Sequence, residues 1–117
     1  MTRTMAELRR DLTIWQPALG LQHWRIRLKR GKSVKGEAKP FSAELPEKWV
    51  AATWWTVEDP NVVIAIRCGE GTHTLVHELL HLRLEGHRPC PARYNPHYER
   101  ALNHLSEALL SQPDLLV

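Results

Sequence analysis

Apolar residues recur at a helical spacing near the start of the chain, with Met5, Leu8, Leu12 and Trp15 on one face. Thr4 and Glu7 stand at the positions of a capping box, so this pattern predicts an amphipathic helix with a defined start. Pro17 and Gly20 mark its end. From Trp24 to Lys29 the period changes to two, apolar alternating with basic, which predicts a strand with one buried face. Residues 31–48 carry no period and are rich in Lys, Glu, Gly and Pro, which predicts a flexible loop or long hairpin connection. Trp49 to Val57, rich in Trp, Val and Thr, reads as a second strand, and Trp54 and Trp55 would point to its opposite faces. Glu58-Asp59-Pro60-Asn61 reads as a turn. Val62 to Ile66 is apolar on both faces, as a strand inside a sheet would be. The short turn before it predicts an antiparallel hairpin.

Gly69-Glu70-Gly71 interrupts the strands, and Thr72 is the expected cap of a helix running to about Glu85, with Gly86 at its end. Pro89, Pro91 and Pro96 keep the next connection irregular. A last helix is predicted from about Pro96 to Gln112, with Tyr98, Ala101, Leu102, Leu105, Ala108 and Leu109 on one face and Pro113 stopping it. Helix, three strands, helix, helix predicts an α+β fold. The expectation is a single domain over residues 1–117, with helices packed on one face of a three-stranded, mainly antiparallel sheet.

Composition narrows this further. The chain has 117 residues, enough for one modest core. No apolar run approaches the roughly 20 residues of a membrane span. The first residues lack the apolar centre of a secretion signal, so a cytoplasmic location is expected. Cys68 and Cys90 flank the second helix. Two reduced thiols are the expectation there, a disulfide the alternative, and the lack of a CxxC pair argues against thiolate zinc ligands. The net charge is +3, its basic excess coming from Arg spread over much of the chain, with Arg25, Arg27, Lys29, Arg30, Lys32 and Lys35 as the densest basic group. A solvated strand face and loop explains that group; contact with nucleic acid is the alternative reading.

The candidate chemistry lies in His77-Glu78-Leu79-Leu80-His81. Positions i and i+4 share a helix face, so two imidazoles at this spacing can close on one zinc ion. The Glu following the first His can reach a water on the open coordination position and act as its general base. The flanking residues Leu75, Val76, Leu79, Leu80 and Leu82 are aliphatic, which suits a helix with ligands facing a cleft and its other faces in the core. The competing reading is an amphipathic core helix with two His at its rim. The Glu placed between them argues for the metal site.

The run Thr74-Leu75-Val76-His77-Glu78-Leu79-Leu80-His81-Leu82, with Tyr98-Glu99-Arg100-Ala101 continuing to Leu109-Leu110, resembles a minimal zincin. It is similar to the gluzincin kind found in small bacterial and phage-encoded HExxH proteins and in the peptidase domain of ImmA/IrrE-type regulators. The resemblance implies a zincin-like domain in which His77 and His81 bind Zn2+, Glu78 is the catalytic base and Glu99 is the third metal ligand. It also implies that a strand of the Trp49–Ile66 hairpin would bind an extended substrate peptide by main-chain pairing.

Two other residues compete with Glu99 for the third position. His87 completes the spacing of metzincins and of the rRNA-maturation endoribonucleases, but Leu84 stands where those families carry a tight-turning Gly. His97 is placed as in SprT-like proteases, but Tyr98 follows it where Gly is usual. Glu99 therefore ranks first. Tyr94 and His104 are candidate donors to an oxyanion, but a packed loop Tyr and a surface helix His are the readings favoured for them.

The expected function is a zinc-dependent metallohydrolase, a peptidase acting on protein or peptide. The alternatives are a non-catalytic zinc or nucleic-acid-binding regulator, and a metal-dependent endoribonuclease with a three-His site.

Overall fold

The structure is a computed structural model and describes residues 3–30, 50–87 and 96–111. Helix α1 spans Met5–Ala18. The capping box is formed: Glu7 N–H donates to Thr4 Oγ1 at 3.1 Å, and Thr4 N–H donates to Glu7 Oε1 at 2.9 Å. Pro17 sits inside the last turn rather than beyond it, and the chain leaves the helix at Gly20, whose φ of 72° suits a residue without a Cβ. Leu8, Leu12 and Trp15 are buried.

Strands β1 (Arg25–Arg30), β2 (Ala51–Trp55) and β3 (Asn61–Ile66) form one sheet in the order β1-β3-β2. β2 and β3 make the expected antiparallel hairpin. In its turn, Asn61 N–H donates to Asp59 Oδ1 at 2.7 Å. β1 pairs with β3 in parallel, which corrects the expectation of a mainly antiparallel sheet: one pairing is of each kind. The reason is topological. A strand joined to the next by a two-residue or short turn must run antiparallel, whereas the long connection after β1 leaves its direction open. β3 takes the centre, and its residues from Val62 to Ile66 are all buried, as an apolar strand flanked on both edges must be.

Helix α2 spans Thr72–Glu85 and α3 spans Pro96–Leu110. The main core combines Leu28, Trp55, Val62, Ile64 and Ile66 from one sheet face with Leu8, Leu75, Val76, Leu79, Leu82 and Leu102 from the helices. The helices therefore lie on that face. Trp55 is buried there, and Trp54, half-buried, belongs to the opposite face. Each fully buried aliphatic side chain stabilises this arrangement by about 1.5–3 kcal/mol.

Thr72 does not cap α2. Gly71 holds the N-cap position with no side-chain bond, and Thr72 is already the first helical residue. Its hydroxyl instead donates to Asp11 Oδ2 at 2.7 Å. Asp11 also accepts from Arg3 Nη2 and Nε at 2.9 and 3.2 Å, so one buried carboxylate joins α1 to the start of α2. Gly86 does end α2, with right-handed backbone. A Cβ there would meet Leu82 O at 2.5 Å and Trp24 Cζ2 at 3.2 Å, so close packing selects the glycine.

The buried face of α3 is rotated from the expected one. Leu102 and Ser106 are buried, while Ala101, Leu105 and Ala108 are exposed. Ser106 is tolerated inside because its hydroxyl donates to Leu102 O at 2.8 Å. No helix among the described residues is long and apolar enough to cross a membrane. The predicted 31–48 loop, Lys32, Lys35 and Cys90 lie outside the described residues; Cys68 is exposed and has no disulfide partner among the described residues.

Candidate metal centre

Three elements meet at His77 and His81. α2 carries both imidazoles and Glu78, β2 approaches from the sheet, and the first turn of α3 brings Glu99. The i, i+4 spacing puts the two rings beside each other, with centroids 5.0 Å apart and ring planes inclined at 64°. Their Nε2 atoms converge on one carboxylate. His77 Nε2 donates to Glu99 Oε1 at 2.9 Å, and His81 Nε2 lies 3.2 Å from Oε1 and 3.0 Å from Oε2. The sequence-based candidates His77, His81 and Glu99 are thus brought together.

His81 also donates from Nδ1 to Glu85 Oε2 at 2.8 Å, so both of its nitrogens face carboxylates. Burial works against a charged ring here. The hydrogen bond to Glu99, the charge of Glu78 and the hydrogen bond to Glu85 outweigh it and raise the His81 pKa to about 9. Burial likewise opposes ionisation of Glu99, but the hydrogen bonds from His77 and His81 prevail and lower its pKa to about 2. The Tyr98 ring stands edge-on to His81, with centroids 5.7 Å apart.

Glu78 stands beside the two imidazoles. It is buried, and Thr53 on β2 donates to its Oε1 at 2.8 Å. Burial raises the Glu78 pKa, opposed by His81, by the Thr53 hydrogen bond and by His77. Ligand atoms of His77, Glu78 and His81 lie within 4.8 Å of one another. Distance thus groups Glu78 with the two histidines, whereas hydrogen bonding groups Glu99 with them. The bonding pattern is the more informative, because the Glu78 carboxylate is engaged by Thr53 and that of Glu99 bridges both Nε2 atoms. Two imidazole nitrogens and one carboxylate oxygen form the donor set of a catalytic zinc site, so the residues present fit that ion.

The competing ligands are placed elsewhere. His87 is exposed beyond the end of α2 and lines a cavity of about 210 Å3 with Gly20, Trp24 and Arg83. His97 is exposed at the start of α3, and His104 is exposed further along it. Tyr94 lies outside the described residues. A larger cavity, about 530 Å3, opens at the N-terminus of α2, and its lining includes none of His77, Glu78, His81 or Glu99.

Compared with protein-family models, curated proteins and solved structures, the chain gives no match.

Thr53, Glu85 and Tyr98 were not singled out as site residues by their positions in the sequence. Glu85 carried a signal: it stands four residues after His81, the spacing at which helical side chains pair. Thr53 carried none, because Thr is an ordinary strand residue and its partner is 25 positions away.

Proposed function

We propose that the chain is a zincin-like metallohydrolase, a peptidase, with His77, His81 and Glu99 holding a zinc ion and Glu78 acting as the general base. The observation that supports it most is the convergence of both Nε2 atoms on the Glu99 carboxylate, contributed by a different helix.

Zinc bound by these side chains would act as a Lewis acid and bring the pKa of a water towards about 7. The protein supplies the proton handling. Glu78, with Oε1 engaged by Thr53, takes the water proton as the oxygen attacks the peptide carbonyl and passes it to the leaving amine. β2 is an outer strand of the sheet among the described residues and carries Thr53, so it is the strand suited to pair with an extended substrate.

The test is hydrolysis of a mixed peptide library by zinc-loaded protein. Glu78→Gln is expected to retain zinc and lose hydrolysis, and His77→Ala to lose both. Full activity in Glu78→Gln would remove the base assignment.

A further inference from the structure

The two motif histidines are supported unequally. Nδ1 of His77 is buried and has no hydrogen-bond partner among the described residues. Nδ1 of His81 donates to Glu85 Oε2 at 2.8 Å. The side chains of His81 and Glu85 are each only 14% exposed, so water competes little for this bond. Donor and acceptor stand at i and i+4 on α2, and the helix itself sets their separation. Tyr98 closes on the same ring edge-on from α3.

A carboxylate that accepts from Nδ1–H fixes the tautomer, which leaves the lone pair of a neutral imidazole on Nε2. In His81 that atom is the one facing Glu99. An outer carboxylate also raises the basicity of the nitrogen presented to a metal.

We propose that Glu85 is a positioning residue of the metal centre: its carboxylate holds the His81 ring in the Nδ1–H form and aims Nε2 at the ion. This rests on the metal-centre reading above. His81 is then a ligand anchored at both ring nitrogens.

Two variants test it, Glu85→Leu and Glu85→Gln, each checked for folding by circular dichroism. Zinc affinity is measured by competition with a chromophoric chelator, and the His81 tautomer by long-range 1H–15N correlation in the zinc-loaded protein. Glu85→Leu is expected to weaken zinc binding by about 10–100-fold. Glu85→Gln, whose amide oxygen still accepts from Nδ1–H, is expected to fall between it and the parent. The parent spectrum is expected to show a protected Nδ1–H on His81 that Glu85→Leu loses. If Glu85→Leu does not fold, the Gln variant decides. Unchanged affinity in the folded variants, or a proton on Nε2 of zinc-bound His81, overturns the proposal alone. A parent protein that binds no zinc overturns the metal-centre reading and the proposal with it.

Discussion

The Thr53 hydroxyl donates a 2.8 Å hydrogen bond to Glu78 Oε1, joining an outer strand of the sheet to the acid that stands between two histidines. Thr53→Val keeps the shape and β-branching of the side chain and removes the donor. A buried carboxylate oxygen left without its partner costs about 1–3 kcal/mol. The variant is therefore expected to melt earlier, to bind zinc as the parent does, and to hydrolyse peptide roughly tenfold or more slowly, since about 1.4 kcal/mol is a factor of ten. Chemical denaturation and initial rates measure the two effects separately. Unchanged values for both would detach Thr53 from Glu78.

Leu79 is fully buried in the core cluster, on the same helix as the candidate ligands. Leu79→Ala is expected to lower the unfolding free energy by about 2–5 kcal/mol, the range for truncating a core Leu. Equilibrium urea denaturation reads this directly. A cost below that range would mean that α2 is less tightly packed than its burial indicates.

Gly86 should resist even a methyl group. Its added Cβ would press on Leu82 O and on the Trp24 ring, so Gly86→Ala is expected to destabilise by about 1–3 kcal/mol even though Ala is the better helix former. A stabilised variant in thermal melting would contradict the packing at this end of α2.

Glu7 gives a pH-dependent test. Hydrogen bonds from the Thr4 backbone and side chain lower its pKa below the ordinary 4.5, with burial opposing them. A carboxyl whose folded pKa is depressed contributes stability that is present above its ordinary pKa and is lost as pH falls through the depressed one. The melting temperature of the parent should thus exceed that of Glu7→Ala at pH 7, and the gap should narrow as pH falls below about 4. A constant gap from pH 7 to pH 3 would assign the effect to something other than the ionised cap.

The fold was legible where the pattern was strong and local. The capping box, the hairpin and the central position of β3 follow from short-range chemistry and from unbroken apolarity. The parallel direction of β1 does not, because a long connection carries no directional signal. The buried face of α3 was read in part: Tyr98, Leu102 and Leu109 do pack inward, but Leu105 looks like a core residue and Ser106 does not, until the hydroxyl is seen to donate to its own helix. In the candidate site, His77 and His81 stood out because two imidazoles at i and i+4 with a Glu between them are chemically distinctive, whereas Glu99 was reached only through the resemblance to the zincin pattern. Thr53 and Glu85 act through hydrogen bonds to other side chains, and ordinary strand and helix residues do not announce such contacts.

The central claim is that His77, His81 and Glu99 together hold the metal. Its most direct test is zinc affinity measured by competition titration on the parent, His77→Ala, His81→Ala, Glu99→Ala and His87→Ala. The parent is expected to bind zinc, each of the first three substitutions to weaken binding by about 100-fold or more, and His87→Ala to leave it unchanged. No zinc binding by the parent, or loss on His87→Ala with full retention in Glu99→Ala, would contradict it.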